Sequence, residues 1–463
     1  MKKLMYSCLF MLFGMFIFTS HVGAQAGETT ILFKPEVSLE EKQEFLAQNQ
    51  FDLLYEIPEV NLVTVNMDEA QIAELERHPF IEALNPATSI KKPEITTIQP
   101  VTFRPVQRLQ TLMSPISLLW DFQWDMKAVT SDGQSYSLHT PSTGTVIGII
   151  DSGIDTSHPD LQHSIVEGSK NLVPAGGHNG TEPEEQGKLD DIEDKLGHGT
   201  GVAGQITANG MLKGAAPGIG IKVYRVFGTK SAKTSWVIKA IIEAANDEVD
   251  VINLSIGEYM LVSGQFSNGA NDSAEYNAYK RAINYAYEKG SVVVASVGND
   301  GVQISDNQQM IDVLNSKLNN ITVVEGKVLD MPGHHQNVVA VGSTGPTKEL
   351  SLFSNYDQDF LNVLAPGGDF RYLYQYGQDQ WTEEKWFEKE LLLTTWLEGG
   401  YNYDAGTSFA APKVSAAVAL IIDKYGWKDN PEKVMGHLKN YSTYEPDLTD
   451  NYRHLNIVNL LTH

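Results

Sequence analysis

Short apolar runs alternate with segments of helical periodicity through most of the chain, and this alternation constrains the fold more than any other feature. The runs are rich in β-branched residues and read TVIGII, IKVYRVF, VDVINLS, SVVVAS and NVVAVGS. The helical segments include SWVIKAIIEAAND, residues 274–289 and residues 407–425. Strands that are apolar along their whole length are buried on both faces. The pattern predicts an α/β domain with a mostly parallel sheet, helices on both faces and functional residues at the carboxyl ends of strands.

A smaller unit precedes this domain. Residues 27–86 contain the strand candidates ILF, LLYEI, NLVTVNM and FIEAL, with helix-like stretches at residues 39–48 and 68–77. This order predicts a small α+β module. Residues 87–115 are rich in Thr, Pro, Gln and Lys without periodicity, which predicts an exposed linker. The large α/β domain then occupies residues 116–463.

The first residues have the form of a secretion signal. Lys2 and Lys3 precede an apolar run that ends at Phe18, and Ala24-Gln25-Ala26 has the small-x-small form of a cleavage site. We expect residues 1–26 to be a signal peptide, cleaved after Ala26, and the mature protein to be secreted. The apolar run is shorter than the roughly 20 residues of a membrane-spanning helix. No further such run follows and the chain ends in NIVNLLTH, so we expect no membrane anchor.

Charge and cysteine content exclude several classes of function. The net charge is -24, so nucleic acid and anionic membrane surfaces would repel the protein. A basic peptide is a better partner, although an acidic surface also simply maintains solubility. The only cysteine is Cys8, inside the predicted signal peptide. A cysteine nucleophile, a disulfide and a thiolate metal site are therefore not expected in the mature protein.

Three segments supply the residues that nucleophilic acyl transfer requires. They are IIDSGIDTSHPDL around Asp151, LGHGTGVAGQI around His198 and AGTSFAAPKVSAA around Ser408. A serine hydroxyl is a weak nucleophile until a histidine accepts its proton, and that histidine needs a carboxylate to orient it and stabilise its charged form. Asp151 closes an apolar strand, which suits a buried carboxylate, and glycines flank His198 and precede Ser408.

Together, in the order Asp, His, Ser, these segments resemble the three signature blocks of the subtilase family of serine endoproteases. The resemblance implies a subtilisin-like fold and a catalytic triad of Asp151, His198 and Ser408 that needs no cofactor. It also implies a role for Asn299 in SVGNDG, because the family asparagine at this position donates its side-chain amide to the oxyanion of the tetrahedral intermediate.

The resemblance extends to substrate binding. The segment DVINLSIG is similar to the family strand that pairs with an extended substrate, which implies that Ser255, Ile256 and Gly257 line the cleft. Asp300 follows Asn299, where the family often has an acidic residue at the rim of the pocket for the residue before the scissile bond. It would favour Arg or Lys there, or it is a solvated loop residue with no part in selectivity.

The N-terminal module resembles the family's inhibitory propeptide, which assists folding and blocks the cleft until it is removed. The linker would then be cut during maturation. Its candidate basic cut points are Lys91, Lys92, Arg104 and Arg108, and the sequence does not choose among them.

Within the family, the block DFQWDMKAVTSDGQSYSLHTPSTGTVIGIIDSGID is most similar to lantibiotic leader peptidases. These enzymes remove the leader from a modified antimicrobial precursor peptide, often after Arg or Gln. The branch predicts a processing protease with such a precursor as its partner. Two alternatives remain open: a secreted protease of broad specificity, and a catalytically inactive fold that serves in binding.

Several features depart from the family pattern. Asp160 matches a calcium-ligating aspartate of the family, but the loop that completes the calcium site is missing from TANGMLKG, so calcium is not expected there. His334-His335 has no third ligand at helical spacing and predicts an ordinary loop. Long insertions at residues 168–194, 259–274, 302–332 and 369–400 are expected to be surface loops, either merely tolerated or rimming the cleft to narrow its specificity.

Overall fold

A computed structural model describes residues 27–93, 116–444 and 451–463. The predicted signal peptide with Cys8, and the candidate cut points Arg104 and Arg108, lie outside the described residues. None of the helices in the three described ranges is long and apolar enough to cross a membrane.

The N-terminal module is a four-stranded antiparallel sheet with two helices, as its pattern predicts. Its strands are β1 (Gly27–Phe33), β2 (Leu53–Ile57), β3 (Leu62–Met67) and β4 (Ile81–Pro86), in the order β2-β3-β1-β4, and its helices are α1 (Leu39–Gln48) and α2 (Glu69–Leu75). Both helices begin with a capping box, formed by Ser38 with Glu41 and by Asp68 with Gln71, in which side chains bind the free backbone N–H groups of the first turn.

The remaining strands are β5 (Ser89–Ile90), β6 (Val146–Asp151), β7 (Lys170–Asn171), β8 (Gly220–Arg225), β9 (Ala232–Lys233), β10 (Val251–Leu254), β11 (Glu258–Phe266), β12 (Val292–Ser296), β13 (Val323–Met331), β14 (Val338–Thr344), β15 (Val363–Pro366), β16 (Leu392–Trp396), β17 (Gly400–Asp404), β18 (Thr443–Tyr444) and β19 (Arg453–His454). The remaining α-helices are α3 (Trp124–Thr130), α4 (Ser135–Leu138), α5 (His198–Thr207), α6 (Thr234–Asn246), α7 (Ser273–Glu288), α8 (Asn307–Lys317), α9 (Arg371–Tyr376), α10 (Gln378–Glu383), α11 (Phe387–Glu390), α12 (Thr407–Tyr425), α13 (Pro431–Tyr441) and α14 (Ile457–Thr462).

The large domain contains a nine-stranded sheet in the order β18-β19-β15-β14-β12-β10-β6-β8-β7. Its pairings are parallel except for β18 with β19 at one edge. Separate apolar cores pack on its two faces, one around α5 and α12 and the other around α6 and α7. The predicted fold class, a mostly parallel sheet with helices on both faces after a small α+β module, is confirmed.

All four predicted surface loops contain regular structure. Residues 168–194 contain the two-residue strand β7 and a short 3-10 helix, and the other three contain longer elements, so the prediction of loops is wrong for them. Residues 259–274 and 302–332 contribute β11, α8 and β13, and β11 pairs with β13 as an antiparallel ribbon over its own small apolar core. Residues 369–400 fold into α9, α10, α11 and β16. The pairing of β11 with β13 joins segments far apart in the sequence, which local periodicity does not reveal.

The predicted linker also starts with regular structure. Ser89 and Ile90 form β5, which pairs with β9 of the large domain, and Ile90 is buried. The expectation of an exposed, irregular segment from residue 87 onward is therefore wrong for its first residues. Residues 94–115 lie outside the described part of the chain.

Two side chains of helix α7, Glu275 and Arg281, bind the N-terminal module. Glu275 accepts hydrogen bonds from Thr30 Oγ1 (2.5 Å), Asn85 Nδ2 (2.5 Å) and Thr88 N (3.2 Å). Two turns later, Arg281 donates to two main-chain carbonyl groups of the module and pairs with Glu82. Side chains of α7 in the large domain thus make hydrogen bonds to polar groups of the N-terminal module.

Candidate active site

Three neighbouring strands deliver the site residues to one edge of the sheet. Strands β12, β10 and β6 run parallel and adjacent, so their carboxyl ends meet. Asp151 is the last residue of β6, Ser255 follows β10, and Asn299 follows β12 after Val297-Gly298. Helices α5 and α12 begin at this edge with His198 and Thr407.

His198 and Asp151 form a buried pair. His198 Nδ1 lies 2.8 Å from Asp151 Oδ1, and the two residues are 2% and 0% exposed. Asp151 Oδ1 also accepts the Ser152 N–H at 2.7 Å. The carboxylate therefore selects the tautomer with hydrogen on Nδ1 and leaves Nε2 to face the cavity as the proton acceptor.

The electrostatic surroundings of His198 favour its charged form. Burial by itself would lower the pKa of the imidazole, but the charge and hydrogen bond of Asp151 oppose this effect, with smaller contributions from Asp404 and Asp194. The resulting His198 pKa lies above its ordinary value of 6.5. The site therefore stabilises the imidazolium that forms when the histidine takes a proton from a nucleophile.

Glycine positions bring the backbone close to His198. Gly197 has a φ of +90°, which favours glycine, and the Trp396 ring fills the space that a Cβ would need. Gly199 packs directly against the backbone of Gly153, beside the strand that carries Asp151. Gly197 thus permits the close approach of Trp396 of β16, and Gly199 permits the close approach of the backbone that follows β6.

Ser408 lies in the first turn of α12, half-buried, and lines the same cavity as His198. Its carbonyl oxygen accepts a hydrogen bond from Ser255 Oγ at 2.7 Å, and Asn253 Nδ2 donates to that hydroxyl at 2.9 Å. Among the residues that the structure describes, Ser408 Oγ makes no hydrogen bond to His198. Catalytic hydrogen bonds are often loose in enzymes without substrate and tighten in the complex.

Asn299 is oriented by the oxygen of its own amide. Asn299 Oδ1 accepts hydrogen bonds from Thr407 N at 2.9 Å and from Thr407 Oγ1 at 2.8 Å. With the oxygen held at the start of α12, Nδ2 is left as a donor near Gly406 and Ser408. A fixed N–H donor beside a nucleophile is the arrangement that stabilises an oxyanion.

A cavity of about 530 Å³ opens over these residues. His198, Ser408, Asn299 and the segment Ser255-Ile256-Gly257 line it, together with residues 86–93 of the predicted linker. The pairing of β5 with β9 places that linker segment along the cleft as an added strand, followed by the exposed Lys91 and Lys92. An extended peptide can therefore occupy this cleft by strand addition.

Asp300 lines the cavity, and both of its carboxylate oxygens are engaged. Lys317 Nζ lies 2.7 Å from Oδ1, and the Tyr259 hydroxyl donates to Oδ2 at 2.5 Å. Its charge is already balanced by a lysine of this chain.

Asp160, the candidate calcium ligand, already accepts hydrogen bonds from this chain with both carboxylate oxygens. Asp160 Oδ1 accepts from Met211 N, and Oδ2 accepts from Leu212 N and Tyr401 Oη, at 2.9 to 3.1 Å. Within the described ranges no group of three or more His, Cys, Asp or Glu side chains is arranged to hold a metal ion. These contacts do not fit a calcium site at Asp160.

The paired histidines are not among the residues that line the cavity of His198 and Ser408. His334 stacks on Phe360 with ring centroids 4.8 Å apart, and His335 Nδ1 accepts a hydrogen bond from Asn337 N.

Sequence reasoning missed several residues around the site. Three further carboxylates line the cavity, namely Asp330, Glu258 and Asp272. The charge of Asp404 raises the pKa of His198. The first three belong to or adjoin β11 and β13, which the sequence pattern assigns to insertions. The sequence signal that could have indicated Asp330 is an acidic residue directly after the apolar pair Val328-Leu329.

The comparisons agree with the geometry. The profile of the Subtilase family matches residues 142–455. The nisin leader peptide-processing serine protease NisP of Lactococcus lactis subsp. lactis is 49% identical over 342 residues, which are 74% of this chain and 49% of the relative. This chain thus spans about half the length of that relative.

Two further proteins are similar over most of their own length. The epidermin leader peptide-processing serine protease EpiP of Staphylococcus epidermidis is 39% identical over 84% of this chain and 83% of the relative. The crystal structure of the epidermin leader peptide-processing serine protease EpiP from Staphylococcus aureus has a TM-score of 0.82 at 36% identity, and covers 95% of this chain and 98% of that chain.

Proposed function

This chain belongs to the subtilase family, and from that premise we propose that it is a serine endopeptidase that removes the leader peptide from a lantibiotic precursor. The observation that carries the catalytic part is the buried contact of 2.8 Å between His198 Nδ1 and Asp151 Oδ1, in the cavity that Ser408 and Asn299 also line.

In the proposed mechanism, Ser408 Oγ attacks the peptide carbonyl carbon while His198 Nε2 takes the hydroxyl proton. Asp151 holds the imidazole in the required tautomer and stabilises its charged form. The imidazolium then gives its proton to the leaving amine, and an acyl-enzyme remains on Ser408. Water, deprotonated by the same nitrogen, hydrolyses the ester and restores the hydroxyl.

Two donors would stabilise the negative charge that develops on the carbonyl oxygen. They are Asn299 Nδ2 and the backbone N–H of Ser408, which lies in the first turn of α12. The hydrogen bonds from Thr407 to Asn299 Oδ1 support this role, because they hold the amide in place before the charge appears.

The substrate would bind as an extended strand between Ser255–Gly257 and β9. The pairing of Ser89-Ile90 with Ala232-Lys233 supports this, since a segment of this chain already lies there as an added strand. We propose that residues 27–86 act as the propeptide, that the following segment blocks the cleft, and that cleavage after it releases the active enzyme.

Two relatives whose names state leader-peptide processing support the substrate class. The β11–β13 ribbon and α8 also support a narrow specificity, because they add Phe266, Leu314 and Leu318 to the lining of the cleft. Such ordered walls restrict which peptide fits, whereas a mobile rim would not.

The test is mass spectrometry of the purified full chain and its Ser408→Ala variant. Each is incubated with a leader-bearing lantibiotic precursor and with a panel of unrelated unfolded proteins. Wild type should lose its N-terminal module and cut the precursor at one site, and the variant should do neither. Broad cleavage of the panel would favour a protease of general specificity instead. No cleavage and no fluorophosphonate labelling after propeptide removal would favour the inactive binding fold.

We further propose that the protein is exported, as the basic residues and apolar run at its start support. N-terminal sequencing of the protein from culture medium, with maturation blocked by Ser408→Ala, should begin at Gly27. A product that retains Met1 and stays inside the cell would overturn this.

A further inference from the structure

Asn355 is a buried asparagine that the proposed mechanism leaves without a role. It is 0% exposed and lies between β14 and β15. Its Oδ1 atom accepts hydrogen bonds from the backbone N–H groups of Asp300 at 3.1 Å and Val302 at 3.3 Å. Its Nδ2 atom donates to the Val297 carbonyl group and to the Tyr259 hydroxyl, each at 2.7 Å. The amide thus uses its full hydrogen-bonding capacity, which fixes its conformation.

The backbone groups bound by this amide lie on both sides of Asn299, the proposed oxyanion donor. They belong to the loop of residues 297–302, here called the oxyanion loop. Two further contacts are formed between main chains: Asn355 N donates to Gly298 O at 3.2 Å, and Gly301 N donates to Phe353 O at 2.8 Å. The backbone of the oxyanion loop is therefore bound both before and after Asn299.

The Asn355 amide lies directly against the residue that precedes Asn299. Gly298 has a φ of +92°, which favours glycine, and a Cβ atom there would fall 2.6 Å from Asn355 Nδ2 and 2.9 Å from the Tyr259 hydroxyl oxygen. Because packing at this point leaves no space for a side chain, a shift of the amide would displace the backbone next to Asn299.

An oxyanion donor is effective only when it lies at hydrogen-bond distance from the place where the charge develops. A displacement of about 1 Å can lower turnover by about 100-fold. The contacts of Thr407 orient the Asn299 amide, but the backbone of the oxyanion loop determines where that amide begins.

We propose that Asn355 is a positioning residue for catalysis: its amide clamps the oxyanion loop and thereby places Asn299 Nδ2 beside the nucleophile. This inference rests on the proposed peptidase function. It also gives the β11–β13 ribbon a part in catalysis, because Tyr259 of β11 binds the same amide.

The test is a double-mutant cycle between Asn355 and Asn299. The N-terminal module is removed from every protein by a metalloprotease that is then inhibited by chelation, and kcat is measured on a fluorogenic peptide that spans the cleavage site of the precursor. Asn355→Ala should lower kcat by about 10- to 100-fold. In the Asn299→Ala background the same change should lower kcat by less than about 3-fold, because the donor that it positions is already absent.

Two further readouts separate positioning from general damage to the domain. Asn355→Ala should keep the midpoint of the acid limb of kcat/KM, because the contact between Asp151 and His198 is unchanged. Asn362→Ala is the matched control. Its Oδ1 atom accepts the Ala340 N–H at 2.7 Å, so this change removes a side-chain contact to the backbone of β14 and not to the oxyanion loop. It should change kcat by less than about 2-fold.

Thermal unfolding shows whether each variant is folded at the assay temperature. If Asn355→Ala is not, Tyr259→Phe takes its place in the cycle, since it removes only a hydroxyl that Asn355 Nδ2 binds. Its expected loss is about 3- to 10-fold in kcat, again only when Asn299 is present. An unchanged kcat, or equal losses with and without Asn299, overturns the inference. Folded wild type that is free of its module and cleaves no peptide counts against the proposed function instead.

Discussion

The groups that we propose to react are oriented through atoms that take no part in the proposed reaction. Asn299 is held by its amide oxygen, His198 by Nδ1, and Ser408 by its carbonyl oxygen. Each contact leaves the functional atom free while removing the rotations that would misdirect it. Such preorganisation is the main source of electrostatic stabilisation of a transition state.

Removing the Asn299 donor should slow turnover without weakening substrate binding. Asn299→Ala is expected to lower kcat by about 10² to 10³, the range known for one such donor in a subtilisin, with little change in KM. Steady-state kinetics on a good peptide substrate measure this. Asn440→Ala, exposed on α13, is the control and should have wild-type kinetics. A rise in KM at unchanged kcat would assign Asn299 to ground-state binding.

The raised pKa of His198 should set the acid limb of the pH profile. His198 must be neutral to accept the serine proton, so kcat/KM should rise with pH through its pKa, and the midpoint should lie above 6.5. Asp404→Asn removes a charge that raises this pKa and should move the midpoint to lower pH. Asp379→Asn, exposed on α10, should leave it in place. An unchanged midpoint in Asp404→Asn would contradict the electrostatic account.

At the scale of elements, one buried ion pair joins α12, whose first turn contains Ser408, to α3. Lys413 on α12 and Asp125 on α3 are both fully buried, with Nζ 2.9 Å from Oδ2. Lys413 Nζ also donates to Gln205 Oε1 of α5, so the same ammonium group joins α5, which begins at His198, to α12, whose first turn contains Ser408. Burial lowers the Lys413 pKa and the charge of Asp125 opposes this.

Breaking this pair should destabilise the domain strongly. Asp125→Asn leaves a buried ammonium without its counter-charge and should cost about 3 kcal/mol or more of the free energy of unfolding. The double variant Asp125→Leu with Lys413→Met should recover much of that loss. Denaturant unfolding of the Ser408→Ala protein measures both. Asp121→Asn, which breaks an exposed pair with Lys127, should cost less than about 1 kcal/mol. An equal loss of unfolding free energy in Asp121→Asn and Asp125→Asn would contradict a charged, buried Asp125.

At the scale of the whole molecule, the two folded units meet along α7 and through β5. The buried Glu275 and the partly buried Arg281 make hydrogen bonds to polar groups of the N-terminal module. Strand β5 then leads the chain from this interface into the cleft. The segment that follows the module therefore contacts the large domain and lines the cavity at the same time.

Weakening the Arg281 contacts should loosen the module. Hydrogen bonds to charged groups contribute about 1.5 to 3 kcal/mol, so Arg281→Ala should speed amide hydrogen exchange in β1 and β3 by about tenfold or more. The Ser408→Ala background keeps the module attached, and exchange is followed by mass spectrometry. Lys280→Ala on the same helix is the control, because its ammonium lies over Tyr276. Unchanged exchange in Arg281→Ala would show that other contacts hold the module.

The sequence by itself determined the fold class, the module's elements and the segments that carry Asp151, His198, Ser408 and Asn299. These depend on local periodicity and short motifs, and α12 begins and ends at the residues that its pattern predicts. Tertiary structure decided which carboxylates have a cation or hydrogen-bond donor beside them and which do not. Asp300 and Asp330 both look like acidic residues beside apolar strands. Only the pairing of β11 with β13 and the position of Lys317 neutralise the first and leave the second buried and unpartnered. Burial and charge pairing depend on contacts between distant segments, which no local pattern encodes.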